Sequence, residues 1–188
     1  MRIKSICEKI RLRLASPEKR ADLMRKKFYF CGNNVKLYTH YFGTEPYLIS
    51  IHDNVVCAAG VQFVNHDMSI FNVKRTMGWC KIKLDKVGSI ELFDNCFIGA
   101  QTILMPNCSV GKNSVVAAGS VVTKHIPENQ VWGGVPAKYI MSIDEYAKHI
   151  TETNNNYPWI EDGKFICSGE ALIKARQDYF FIKYKDRN

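Results

Sequence analysis

A six-residue repeat between Leu92 and Thr123 constrains the fold of this chain more than any other feature. Its first position is always aliphatic: Leu92, Ile98, Leu104, Val110, Val116 and Val122. Its fifth position is small until Pro127 ends the array: Cys96, Thr102, Cys108, Ser114 and Ser120. A helix would space apolar residues by three and four, and an alternating strand by two. The period of six therefore predicts a solenoid of short parallel strands joined by tight turns.

The composition is typical of one cytoplasmic domain. The chain has 188 residues, 46% of them hydrophobic, and seven scattered cysteines with no C-x-x-C pair. Two of these cysteines occupy the small inward position of the repeat, where sulfur acts as a compact hydrophobe. We therefore expect reduced thiols and a cytoplasmic protein without a secretory leader. No apolar run approaches the ~20 residues of a membrane-spanning helix.

The positive charge is concentrated at one end of the chain. The formal net charge is +8, and residues 1–27 contain ten Lys or Arg against Glu8, Glu18 and Asp22. Isoleucines at helical spacing predict a helix here, and Ser16-Pro17-Glu18 predicts the start of a second one. This basic arm could make a weak peripheral contact with the inner face of an anionic membrane. We favour the alternative, that it packs on the solenoid or on a neighbouring subunit. Stacking aromatics and nucleic-acid motifs are lacking, so no nucleic-acid partner is expected.

The order of these features predicts three segments. They are a basic helical arm (1–31), a parallel solenoid (32–140) and a C-terminal helical tail (141–188). The repeat loses its register between Ile51 and Leu92, which are 41 residues apart, one short of seven repeats. The break falls in 67–88, a stretch that mixes apolar and basic residues. Such an excursion beside a histidine is a candidate wall of a binding site, and it could equally cover the next subunit.

Three segments resemble the hexapeptide-repeat O-acetyltransferases. They are Val-Trp-Gly-Gly-Val-Pro-Ala-Lys (131–138), Phe-Ile-Gly-Ala (97–100) and Val-Asn-His-Asp (64–67). The resemblance covers about Leu37 to Ile140. It is greatest to the polysaccharide and sugar O-acetyltransferases, and xenobiotic acetyltransferases are also similar. It implies a left-handed parallel β-helix, an exception to the usual right-handed crossover. It also implies a homotrimer that binds acetyl-CoA in clefts between subunits and acetylates a sugar or glycan hydroxyl.

His66 is the candidate catalytic residue, because transfer to a hydroxyl needs a base near neutral pH. A neutral imidazole with an ordinary pKa near 6.5 meets that need. The chain has no G-x-S-x-G elbow, so we expect direct transfer and no acyl-enzyme. Candidate acceptor contacts are Glu45, Asp53, Asn65, Asp67 and Trp79.

The resemblance also implies a set of cofactor contacts. Ala100, Ala118, Thr123, Lys124 and Lys138 would line the CoA cleft, with Phe97 on its wall where tryptophan is usual. Met141 stands where a basic residue is common. Small residues at the turns, Gly99-Ala100 and Ala117-Ala118, predict backbone amides within reach of the thioester oxyanion.

Two other classes stay open. A metal enzyme of the gamma carbonic anhydrase type would need three converging histidines. His40, His52 and His66 are spaced 12 and 14 apart, which puts His40 and His52 on different faces, and no metal is expected. A non-catalytic solenoid is the second alternative. The identity of the acceptor lies beyond the sequence, because pockets are built from loops.

Overall fold

The computed structural model describes residues 2–182, with the side chains of residues 2–5 left out. The chain divides into two compact units, Met1–Ile143 and Asp144–Asn188. Residue 1 and residues 183–188, the ends of the predicted arm and tail, lie outside the described range. Within residues 2–182, no helix combines the length and the apolar character that crossing a bilayer requires.

Three parallel sheets form most of the first unit, and the chain visits them in turn. Sheet A contains β1 (Phe30–Cys31), β3 (Ile49–Ile51), β6 (Ile90–Leu92), β9 (Cys108–Val110) and β12 (His125–Ile126). Sheet B contains β2 (Lys36–Leu37), β4 (Val56–Cys57), β7 (Phe97–Ile98), β10 (Val115–Val116), β13 (Gln130–Gly133) and β14 (Lys138–Ser142). Sheet C contains β5 (Gln62–Phe63), β8 (Ile103–Leu104) and β11 (Val121–Val122). Strand β14 runs antiparallel to its neighbour, β13. We call three successive strands, one from each sheet, a coil.

The six-residue repeat places its aliphatic position inside this unit, as predicted. Ile98 pairs with Val116 and Leu104 with Val122, so equivalent residues stack one coil apart. All six aliphatic positions are at most 1% exposed, and the small fifth positions are buried with them. Burying each aliphatic side chain stabilises the fold by about 1.5–3 kcal/mol. Burial also raises the pKa of the Cys96 and Cys108 thiols to about 12, which keeps them neutral and apolar.

The pairing between strands of sheet A continues across the break in the repeat. Ile51 pairs directly with Leu92, although 41 residues separate them in sequence. The intervening chain leaves the coils after His66 and carries a short helix, α3 (Ile70–Thr76). The predicted excursion is therefore a loop with one short helix, and its side chains are mostly exposed.

Two helices precede the sheets, α1 (Arg2–Leu14) and α2 (Pro17–Met24), and Ser16 caps α2 as predicted. Arg20 of α2 is 7% exposed, and its guanidinium donates to the carbonyls of Leu12, Ala15 and Leu37. Arg25 donates to the carbonyls of Cys31 and Gly32. Both arginines thus reach strands β1 and β2 of the first coil.

The boundaries differ from the predicted ones by a few residues. Phe30 and Cys31, assigned to the arm, already form β1 and pair with β3. Strand β14 crosses the predicted boundary at residue 140 and pairs back onto β13. Both boundaries are set by pairing with a neighbouring strand, and the local sequence does not indicate that pairing.

The described part of the second unit contains two α-helices, a π-helix, a hairpin and an aromatic cluster. Its elements are α4 (Ile143–Asn155), β15 (Ile160–Glu161), β16 (Lys164–Phe165), α5 (Gly169–Gln177) and a π-helix (Asp178–Ile182). Trp159 is 3% exposed. Its ring stacks on Tyr157 at 4.7 Å and meets Tyr179 edge-on at 5.5 Å. The aromatic residues of this tail therefore pack mainly on one another.

Five asparagines form a side-chain ladder along one corner of the coils. Each has a left-handed backbone, with φ between 52° and 60°: Asn34, Asn54, Asn95, Asn113 and Asn129. The amide nitrogen of each of the first four donates to the amide oxygen of the next, at 2.9–3.0 Å. Asparagine suits this corner because it tolerates the left-handed conformation and its amide can both donate and accept.

The ladder predicts a ranked pair of variants at Asn95. Asn95→Gly keeps the backbone conformation but removes two side-chain hydrogen bonds, so we expect it to cost about 1–2 kcal/mol. Asn95→Ala removes the same bonds and keeps a Cβ in the left-handed region without the polar side chain that lets asparagine adopt it, which adds about 1 kcal/mol or more. Urea unfolding of both variants measures the difference. Equal stability of the two variants would contradict this role of the corner.

Candidate functional site

His66 lies where the chain leaves sheet C, directly after β5. Val64 lies two residues before His66, and its backbone amide donates to the Leu104 carbonyl at 2.8 Å. His66 itself forms an antiparallel bridge with Val87, where the excursion returns. The imidazole is thus attached to the edge of a rigid sheet, and its side chain is 23% exposed.

Glu45 holds one side of the His66 ring. Its Oε1 lies 2.9 Å from Nδ1 of His66, and the Glu45 side chain is only 16% exposed. The Thr44 hydroxyl donates to the same carboxylate. The hydrogen bond from Thr44 lowers the pKa of Glu45, and the bond and charge of His66 lower it further against the opposing effect of burial. An ionised carboxylate accepts only, so Nδ1 donates to Glu45, and in the neutral ring Nε2 keeps its lone pair.

Asn65 fixes the segment that carries Glu45. Its Nδ2 donates to the Glu45 carbonyl at 2.6 Å, and its Oδ1 accepts from the Glu45 amide at 3.3 Å. Gly43 leaves room for this side chain, because a Cβ there would lie 2.3 Å from the Asn65 Oδ1. Asn65 is fully buried. The expectation that Asn65 contacts the acceptor is therefore wrong: its amide is used beneath the site.

Asp67 binds the returning end of the excursion, and its carboxylate points to partners other than His66. Its Oδ2 lies 2.6 Å from the Lys86 ammonium, and its Oδ1 accepts from the Ser69 amide at 2.9 Å. These bonds, that of Lys86 first, lower the pKa of Asp67 to about 2. Asp67 thus closes the base of the excursion, a role different from the predicted acceptor contact.

Asp85 faces the other ring nitrogen. Its Oδ1 is 3.5 Å from Nε2 of His66, and its side chain is 69% exposed. The open side of the imidazole is therefore bordered by a carboxylate from the excursion. Chemically, the arrangement can take a proton from a hydroxyl at Nε2 while Glu45 stabilises the imidazolium that forms.

The two remaining acceptor candidates lie elsewhere. Asp53 occupies the corner between sheets A and B, where its Oδ1 accepts from the Asn33 amide at 2.6 Å. That bond uses the carboxylate to join two coils, so Asp53 serves the turn, and its contact with an acceptor stays a prediction. Trp79 follows α3 in the excursion and is 39% exposed.

The predicted cofactor residues gather along sheet B and its edges. Gly99 and Ala117 stack one coil apart at the turns that follow β7 and β10. A Cβ on Gly99 would lie 2.4 Å from the Ala118 nitrogen, so this turn admits only glycine without a shift. However, the Gly99 amide donates to the Val116 carbonyl and the Ala117 amide to the Trp132 carbonyl, each at 2.8 Å. The expectation that these two amides are free for an oxyanion is wrong, because coil stacking uses them.

The two lysines flank the last coil. The Lys124 ammonium lies 5.4 Å from the centre of the Trp132 ring. Lys138 pairs with Gly133 across β13 and β14, and it is exposed. Thr123 is exposed beside Lys124, and Phe97 presents 41% of its surface on the outer face of β7. Trp132 was not among the predicted residues, although its place in the closing motif was a usable signal.

The histidines do not converge. Across residues 2–182, no three His, Cys, Asp or Glu side chains form a group that could hold a metal ion. His52 instead lies between the rings of Phe30 and Phe93, each at 5.1 Å, and its Nε2 is 3.0 Å from Glu91. His40 packs on the ring of Tyr41.

The contacts of Glu45 and Asp85 with His66 are not among the predictions from the sequence. Glu45 precedes His66 by 21 residues, close to the length of one coil, and that spacing could have indicated the contact. Asp85 carried no such signal, because its position depends on how the excursion returns.

Comparisons with known proteins identify relatives that cover most of the chain. Residues 89–124 match the family described as bacterial transferase hexapeptide (six repeats). The chain is 36% identical over 148 residues to Protein CapG of Staphylococcus aureus, covering 77% of this chain and 84% of CapG. It is 29% identical over 152 residues to the galactoside O-acetyltransferase of Escherichia coli (strain K12), covering 70% and 72%. The crystal structure of a maltose O-acetyltransferase from Clostridium difficile 630 superposes with a TM-score of 0.54 at 25% identity, covering 73% of this chain and 83% of the other.

The Asp67–Lys86 pair predicts a pH-dependent stability. Because the folded pKa of Asp67 is depressed to about 2, its contribution is present above the ordinary value near 4 and is lost as the pH falls toward 2. Asp67→Asn should therefore lower the melting temperature at pH 6, and the difference from the unsubstituted protein should shrink as the pH approaches 2. A constant difference across this range would show that the ion pair is not the cause.

Proposed function

This chain is an acetyltransferase of the bacterial hexapeptide-repeat family, and from that premise we propose that it moves an acetyl group from acetyl-CoA to a hydroxyl of a sugar or polysaccharide precursor, such as one for capsule or lipopolysaccharide. The observation that carries the proposal is the imidazole of His66, with Nδ1 bound to Glu45 and Nε2 on the side bordered by the exposed Asp85 carboxylate. The relatives named galactoside and maltose O-acetyltransferase support a sugar as the acceptor.

The proposed step is direct transfer with His66 as the general base. The acceptor oxygen attacks the thioester carbonyl while Nε2 takes the hydroxyl proton. The tetrahedral intermediate then collapses, the C–S bond breaks, and the imidazolium returns the proton to the leaving thiolate. Glu45 lowers the cost of the transient imidazolium, because a carboxylate at 2.9 Å favours the positive form.

The cofactor is proposed to lie along the edge of sheet B. Lys124 and Lys138 would meet phosphates of CoA as point charges. The turns at Ala100 and Ala118 supply the remaining candidate amides for the oxyanion. Phe97 and Thr123 would form the wall of the cleft. No metal ion takes part in this proposal.

The proposed assembly is a homotrimer of left-handed β-helices in the cytoplasm. The family resemblance supports both the handedness and the three-fold symmetry. The excursion also supports assembly, since Phe71 and Met77 are 60% and 55% exposed in the single chain. Apolar side chains grouped in this way favour burial against another surface. The basic arm presents Ile6 and Ile10, 56% and 53% exposed, for a neighbouring subunit or, more weakly, for an anionic membrane surface.

A substitution at His66 tests the proposed function. His66→Ala should reduce the transfer of acetyl groups from acetyl-CoA to a panel of sugars by roughly 10²–10⁴-fold, because Nε2 is removed. Acetyl-CoA binding and the melting temperature should change little, since the side chain is outside the core. The release of free thiol measures turnover, and His149→Ala, an exposed histidine on α4, is the matched control. Full activity of His66→Ala would overturn the mechanism.

A substitution in the excursion tests the assembly. Trp79→Asp should reduce both the trimer fraction and the activity, because an unpaired carboxylate is costly to bury at an interface. Light scattering gives the mass of the particle, and the thiol assay gives the activity of the same sample. A fully active monomer would place the whole site within one chain.

A further inference from the structure

The position of Asp85 is set by backbone pairing, and not by a flexible side chain alone. The Asp67 amide donates to the Lys86 carbonyl at 2.8 Å, and the Gly88 amide donates to the Asn65 carbonyl at 3.0 Å. Together with the bridge between His66 and Val87, these bonds align residues 85–88 with 65–67. The Asp85 Oδ1 also accepts from the Lys86 amide at 3.0 Å, which orients the carboxylate. The backbone pairing of the excursion therefore holds a carboxylate beside Nε2.

The contact between Asp85 and His66 lacks a proton in the state needed for catalysis. Glu45 accepts from Nδ1, so Nε2 of the neutral ring is an acceptor. The Asp85 Oδ1, 3.5 Å away, is an acceptor too. Two acceptors this close are satisfied only when other groups donate to both of them. One hydroxyl has a single proton and can serve only one of the two.

Lys86 does not supply the missing donor through its side chain. Its ammonium is bound to the Asp67 Oδ2 at 2.6 Å. With 69% of its side chain exposed, the Asp85 carboxylate is solvated in the free enzyme. A ligand can therefore replace that water with its own donors.

We propose that Asp85 binds a second hydroxyl of the acceptor, adjacent to the hydroxyl that His66 deprotonates. Adjacent hydroxyls of a sugar ring stand about one hydrogen-bond length apart, which matches two neighbouring acceptors in the protein. The acceptor class is then a neutral vicinal diol. An acceptor with a carboxylate or phosphate at the adjacent position is disfavoured, because like charges repel at short range. This inference rests on the proposed function and narrows its substrate.

The test compares glycosides that have or lack the adjacent hydroxyl. The probes are methyl glucoside, methyl galactoside and methyl mannoside, each with its monodeoxy analogues, assayed with the unsubstituted enzyme and with Asp85→Ala. A hydrogen bond to a charged group predicts that Asp85→Ala raises KM for the accepted glycoside about 10- to 100-fold. The analogue without the adjacent hydroxyl should be a similarly poor acceptor for the unsubstituted enzyme. The KM for this analogue should not rise further in Asp85→Ala, because removing the hydroxyl and removing the carboxylate abolish the same hydrogen bond.

The matched control is Asp22→Asn, which removes an exposed carboxylate of α2 that pairs with Arg25 and should leave every KM unchanged. Equal losses for the glycoside and its deoxy analogue in Asp85→Ala would overturn the inference. So would a gain of activity with every acceptor and a shift of the acid limb to lower pH, which would identify Asp85 as the partner of a protonated His66. If the unsubstituted enzyme acetylates none of the glycosides, the proposed function fails first, before any variant is compared.

Discussion

Each coil of this protein is held by the coil beside it. A pair such as Ile98 and Val116 is stable because the two residues share one inward position, and their backbone groups satisfy each other across the gap. A single coil could bury neither its aliphatic side chains nor its amides. The same dependence extends to the corners, where five asparagines repeat one strained conformation in register. The framework is therefore rigid, and the site inherits that rigidity, because His66 follows directly from a strand of sheet C.

The site itself is built from three parts of the chain that meet at this rigid edge. The strand end supplies His66, the preceding coil supplies Glu45, and the excursion supplies Asp85. Only the first two are fixed by coil stacking, while the third depends on the short antiparallel return at residues 85–88. Under the proposed function, this division would give proton transfer to the framework and acceptor recognition to the excursion.

The sequence predicted the parts of the structure that repeat. The inward aliphatic positions, the start of α2 at Ser16-Pro17 and the excursion follow from local patterns, and the structure confirms them. Pairing between coils was harder to foresee, because it joins residues that are about 20 positions apart. For this reason the Gly99 and Ala117 amides were expected to be free, and Asn65 was expected to face the acceptor. Glu45 was singled out, but its partner was not, since only the folded coil brings it to His66.

Arg20 and Arg25 bear on how the stack of coils ends. Strands β1 and β2 belong to the first coil, and parallel strands at such an end offer unpaired carbonyls to any other strand that approaches. Arg20 and Arg25 occupy the carbonyls of Leu37, Cys31 and Gly32. At the other end, β14 reverses direction and covers one edge of the last coil. Both ends of the stack thus carry a terminator. Without these contacts, the open strand edges at each end could pair with the edges of further copies of the chain. The fold itself therefore limits the growth of filaments.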